Sequence, residues 1–312
     1  MSHQFESGFF ASNRPAWHGL GTVLDHPPTI AEAIEAAGLD WQVREQELFT
    51  QTERGLGIVP THKALVRSTD YQQLGIVSHQ YKPLQNLDAF NFFDFLLHDG
   101  DVSLEAAGSL KEGKRIWVLA KVNDLTQDVA KDDAVNPYLL LSNSHDGSLA
   151  VWIQFTPIRI CCSNTLSYAL SKRTEHQKIG RAFSIRHQGD IQAKLAQAKT
   201  ALNFAQQQFS TTIEQYQLMA NRQVSQFDLD LYLSEVLQTD TPQSTRAYPQ
   251  IVANFEQGRG NNGSTLWDAY NGVTEWLDHQ RGNSQNTRLN SAWFGSSAKT
   301  RILAHQKALE LV

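Results

Sequence analysis

Two adjacent cysteines, Cys161 and Cys162, stand at the end of an apolar run, and eleven histidines are present to act as bases. A thiol beside an imidazole is the pairing that nucleophilic catalysis needs. No G-x-S-x-G elbow accompanies it, and a cysteine on an apolar strand is ordinarily an inert core residue. Zinc requires a second cysteine pair at ligand spacing, which the chain lacks. His98-Asp99-Gly100-Asp101 offers oxygen and nitrogen ligands, but the later acidic positions of a calcium loop are missing, and a helix end with a turn accounts for it. The segment 258–265, GRGNNGST, has the two glycines of a phosphate cradle, but Ser264 stands where its lysine belongs. No catalytic residue, metal set or cofactor is therefore assigned.

Polyanion binding fits the residues better. In the segment 158–166 a strand pattern runs into a helix that Ser163 or Asn164 can cap, leaving N–H groups to meet a phosphate. Arg159 precedes that end. Lys172 and Arg173 close the helix, and Lys178, Arg181 and Arg186 follow. Lys114 and Arg115 open an earlier strand. Tyr168, Trp117 and Trp152 could stack on bases where exposed, although a core position suits each tryptophan better. Charge is uneven: residues 1–155 hold 11 Lys/Arg against 20 Asp/Glu, and residues 156–312 hold 16 against 12. Residues 159–199 carry eight basic and two acidic side chains, and residues 281–307 carry five basic and no acidic ones. Such asymmetry marks a polyanion-binding face or the solvated faces of helices.

The elements that must hold these residues read as α+β. Thr29 to Glu32 forms a capping box before Ile30, Ala33, Ile34 and Ala37, and Gly38 closes that helix. Strands are expected over 41–49, 63–68 and 74–78, then a helix over 87–97 capped by Asn86. Its phenylalanines belong to the core. Strands follow over 115–122, 138–141, 149–155, with a turn at His145-Asp146-Gly147, and over 158–161 and 183–186. Helices are expected over 164–171, within 188–238, from Ser264 to Asp278, and over 297–311. This gives an antiparallel sheet packed with helices in an α+β domain 1–187, and a mainly helical region 188–312. Hydrophobic residues at 41% and charged residues at 19% suffice for a sizeable core. No apolar run reaches the roughly 18 residues of a membrane span, and adjacent cysteines suit a reducing compartment, so a cytoplasmic location is expected.

Several blocks resemble a known family. PAWHGLGT (15–22), GLDWQV (38–43), LGIVSHQYKPLQN (74–86), AGSLKEGKRIWVLAKV (107–122), NSHDGS (143–148) and TPIRICCSNTL (156–166) identify the chain as a member of a phage- and plasmid-related family. It is catalogued as domain of unknown function nine-thirty-two. Cys161-Cys162-Ser163 departs from the Val-Cys-Gln expected of relatives, which argues against a role for the first cysteine. The order of elements is also similar to ring-forming single-strand annealing proteins of the Redβ, RecT and Rad-fifty-two type. That likeness implies a homo-oligomer binding single-stranded DNA without a cofactor, through basic residues along a groove. Two other functions are compatible with the sequence. One is an interaction protein that meets a host or phage partner and counters host defence with its acidic half. The other is an enzyme with a dispersed site.

Overall fold

The computed structural model describes residues 5–11, 21–161, 182–185, 198–282 and 285–312. They form two compact units. Unit one comprises Met1–Asn123, Leu139–Gln154 and Phe183–Leu202; unit two comprises Asp124–Tyr138, Phe155–Ala182 and Asn203–Val312.

Unit one is built on strands β1 (Phe5–Ala11), β2 (Thr22–Leu24), β6 (Val102–Leu110) and β7 (Arg115–Val122). Residues 139–144 of β9 (Asp133–Ser144) and 151–154 of β10 (Val151–Arg159) continue this sheet, with β11 (Ala182–Ile185) beyond them. Its order is β11-β10-β9-β7-β6-β1-β2. The β1–β6 and β6–β7 pairs are antiparallel, and β2 adds parallel to β1. Helix α1 (Ile30–Ala36) starts at the expected capping box, where the Thr29 hydroxyl accepts from the Glu32 N–H. Gly38 follows in the left-handed region at φ 63°, which only glycine adopts without cost. The helix expected over 87–97 is two: α2 (Asn86–Asn91) and α3 (Asp94–His98), with Gln85 and not Asn86 at the cap. Helices α1 and α3 lie against β6, and α2 lies against β7. They cover a core that includes Phe90, Phe93, Leu104 and Trp117. Trp117 is therefore no stacking platform; it is 1% exposed.

A second sheet in unit one has the order β3 (Val43–Thr52), β4 (Gly55–Arg67), β5 (Gln73–Ser78). Between Glu47↔Lys63 and Phe49↔Ile58 the β3–β4 register shifts. Pro60 lies there and has no N–H to contribute to the ladder. Beyond it a hairpin tip pairs Phe49 with Ile58 and Thr52 with Gly55.

In unit two, β8 (Gln127–Ala130) pairs with β9, and residues 133–138 and 155–159 are the other ends of β9 and β10. Its other described residues are mainly helical: α4 (Ala198–Asn221), whose first turn belongs to unit one, α5 (Gln226–Leu237), α6 (Tyr248–Gln257), α7 (Leu266–Glu275), α8 (Gln285–Phe294) and α9 (Ser296–Glu310). The aromatic core brings Tyr216 to 4.7 Å from Trp267 and 6.0 Å from Tyr270, between ring centroids. No helix among the described residues is long and apolar enough to cross a membrane.

Candidate nucleic-acid interface

The β6–β7 turn is bent by three successive residues with positive φ: Lys111 (55°), Glu112 (59°) and Gly113 (80°). Left-handed conformations are costly for residues with a side chain, so the surroundings must hold this turn. Arg67 does so from β4. Its Nη2 donates to the Glu112 carbonyl at 2.7 Å, its Nη1 pairs with Glu6 at 2.7 Å, and its guanidinium lies 5.0 Å above the Trp41 ring. A Cβ at position 113 would meet Arg67 Nη2 at 2.6 Å, so Gly113 is also required by space.

The facing loop, 143–148, is fixed as firmly. His145 is fully buried and meets Trp41 edge-on at 5.5 Å. Asn86 Nδ2 donates to the Leu39 and Trp41 carbonyls at 3.1 and 3.2 Å. Its Oδ1 is thereby the acceptor at 2.9 Å from His145 Nε2, and that nitrogen carries the proton. The His145 N–H donates to the Lys114 carbonyl at 2.8 Å, and Tyr81 donates to the Ser144 carbonyl at 2.8 Å. Position 75 approaches Asp146 so closely that a Cβ would lie 2.6 Å from its Cα. Four of the sequence blocks, those holding Trp41, Gly75 to Asn86, Lys111 to Arg115 and His145, thus meet at one place.

The framework presents Lys111, Lys114 and Arg115, all half-buried, with the half-buried Asp146 on the facing loop and Glu112 exposed on the turn itself. Burial pushes the Lys111 amine below its ordinary value; Arg115 and Lys114 act the same way, and Asp146 opposes them. Burial raises the Asp146 carboxyl, but the Ser148 hydroxyl and N–H and the charge of Arg115 outweigh it and leave it below the usual range. Arg115 Nη2 donates to Ser148 Oγ at 3.1 Å. Three cations against two carboxylates, Asp146 and the exposed Glu112 of the turn itself, leave one positive charge in excess in the chain's acidic half.

Lys114 and Arg115 are accordingly at this turn, and Lys111, in the same block, joins them; the sequence reading passed over it. Arg159 must be corrected. It is 0% exposed and belongs to unit two. Its Nε and Nη2 each lie 2.6 Å from the Asp133 carboxylate, and its remaining donors reach the Gly260 carbonyl at 2.7 Å and Asn261 Oδ1 at 2.7 Å. A guanidinium so committed has nothing to offer a phosphate. Asn164, Tyr168, Lys172, Arg173, Lys178, Arg181 and Arg186 lie outside the described residues. In segment 281–307, Arg301 is also fully buried, paired with Asp278, and Lys307 pairs with Glu235 and Glu310. The 258–265 loop leads into α7, where Asp268 Oδ2 accepts the N–H groups of Ser264 and Thr265 at 3.1 and 3.0 Å. A carboxylate at that helix start leaves no phosphate cradle. Among the described residues no three His, Cys, Asp or Glu side chains gather to hold a metal ion.

Fold and turn together define an α+β protein with a basic turn locked between two sheets of one unit. Residues 73–294 match the model of the family described as Domain of unknown function (DUF932), and the chain belongs to that family. The comparisons with curated proteins and with solved structures give no match.

Proposed function

We propose that the protein binds single-stranded DNA as a homo-oligomer and acts in the recombination or replication of a phage or plasmid, in the cytoplasm. The carrying observation is the basic turn: Lys111, Lys114 and Arg115 on a backbone held in place by Arg67, His145 and Gly113. A rigid cationic turn needs no cofactor to bind a polyanion, and its contacts go to phosphates, not bases.

The test is fluorescence anisotropy with a labelled single-stranded oligonucleotide and its duplex at two salt concentrations, alongside light scattering. The expected result is a salt-sensitive preference for the single strand by an oligomer. No binding at low salt would overturn the reading, and a host protein partner would then be sought by pull-down.

A further inference from the structure

The loop that faces the cationic turn carries an anion, Asp146, and its setting is that of a ligand. The Asp146 carboxylate accepts the Ser148 N–H at 2.9 Å, and Ser148 Oγ in turn receives Arg115 Nη2 at 3.1 Å. An Asp-x-Ser turn makes the first of these bonds anywhere in a protein and needs no cation. Here Arg115, by a hydrogen bond and its charge, and Lys111, by its charge, act on it from a second turn, and that turn keeps two non-glycine residues in the left-handed region. Crowded like charges destabilise a fold unless an anion sits among them. Asp146 and the turn's own Glu112 offset two of the three cations and leave one in excess. We propose that the Asp146 carboxylate closes a phosphate subsite: it takes the place of a phosphate oxygen between Ser148 and the Lys111–Lys114–Arg115 turn, and an incoming phosphate competes with it.

The loops around the subsite are fixed independently of that carboxylate. The backbone of 144–146 is held by Tyr81, by the Lys114 carbonyl and by the close approach of Gly75. Removing the side chain at 146 should therefore leave the donors where they are and lower the charge that repels a phosphate. The inference rests on the reading that this turn meets phosphodiesters, but a free anion tests it separately.

The experiment uses the full chain, as wild type, Asp146→Ala and Asp146→Asn, with folding checked by circular dichroism. Inorganic phosphate is titrated at low ionic strength, and acylation of Lys111 and Lys114 is followed by mass spectrometry with and without it. Both variants are expected to bind phosphate about tenfold more tightly than wild type and to protect both lysines. Adding Lys114→Gln and Arg115→Gln should abolish the gain. Folded variants that bind phosphate no better than wild type would overturn the proposal. The same proteins are then titrated with a single-stranded oligonucleotide. A gain for phosphate with no DNA binding by any of them leaves the subsite standing and removes the DNA reading. DNA binding that depends on Lys114 and Arg115, with no gain on removing Asp146, does the reverse.

Discussion

Arg159 and Asp133 form a buried, two-pronged ion pair: Nε to Oδ1 and Nη2 to Oδ2, each at 2.6 Å. Trp267 Nε1 donates to the same carboxylate at 2.7 Å, and the Arg159 guanidinium lies 5.3 Å from the Trp267 ring. The pair thus joins β9, β10, α7 and the 258–265 loop within unit two. Removing one partner strands the other charge without water, which costs about 3–5 kcal/mol. Arg159→Met is expected to lower the unfolding free energy from urea denaturation by that amount, and Arg159→Lys to recover only part of it, since an ammonium cannot make the fork. A loss within about 0.5 kcal/mol would show that the pair does not hold the unit.

Glu105 makes stability depend on pH. The β6–β7 register passes from Leu104↔Ala120 to Ala106↔Leu119, so Glu105 is the extra residue of a bulge. Burial pushes its carboxyl up to about 7, against the pull of Lys121. A carboxyl raised in the fold favours folding while protonated. Its contribution is therefore present below the unfolded value of about 4.5 and is lost as pH rises towards 7. Glu105→Gln should stabilise the protein by about 1–3 kcal/mol at pH 8 and change little at pH 4. Thermal unfolding at the two values checks this; equal effects at both would exclude it.

These relationships explain what the sequence could and could not yield. The α1 capping box and β7, Arg115–Val122, are legible because their signals are local and agree with their burial. Strand β6 escapes notice because VSLEAAGSL is poor in β-formers and owes its state to pairing on both sides. The hairpin tip escapes because Gly55, Gly57 and Pro60 punctuate it. Arg159 reads as a phosphate ligand because its counter-charge lies 26 residues away and its tryptophan partner lies on a helix far along the chain. Charge clustering in sequence says nothing of which cations a fold buries; Arg159 and Arg301 are both consumed inside. Lys114 and Arg115 are legible only as cations, whereas their support from Arg67 and His145 depends on tertiary contacts.

The β3–β4 hairpin tip predicts a contrast between phenylalanines. Phe49↔Ile58 and Gln51↔Leu56 are alternate pairs, so Phe49, Ile58 and Leu56 share one face, and they are 54%, 58% and 74% exposed. Phe49→Ser loses a cross-strand pair and should cost less than about 1 kcal/mol. Phe93→Ala empties a fully buried site and should cost about 3–5 kcal/mol. Chemical denaturation of the two variants decides. Equal costs would mean that Phe49 is covered in the folded protein.

Charge reversal at the turn separates binding from folding. Lys114 and Arg115 are half-buried at the mouth of β7, where Arg115 Nη2 donates to Ser148 Oγ. The chain path there is set by main-chain bonds and by Gly113, which Lys114→Glu with Arg115→Glu leaves intact. The double variant should stay folded with its melting temperature lowered by a few degrees, for the lost Arg115–Ser148 hydrogen bond and the carboxylate placed beside Asp146. Its affinity for single-stranded DNA should fall by tenfold or more. If two phosphate contacts are lost, the slope of log affinity against log salt should become shallower by about 1.4. Lys114→Gln with Arg115→Gln should fall between the two in affinity and share the shallower slope. An unchanged slope with full affinity would place the DNA elsewhere on the chain, and the segment 172–186 would be the next to reverse.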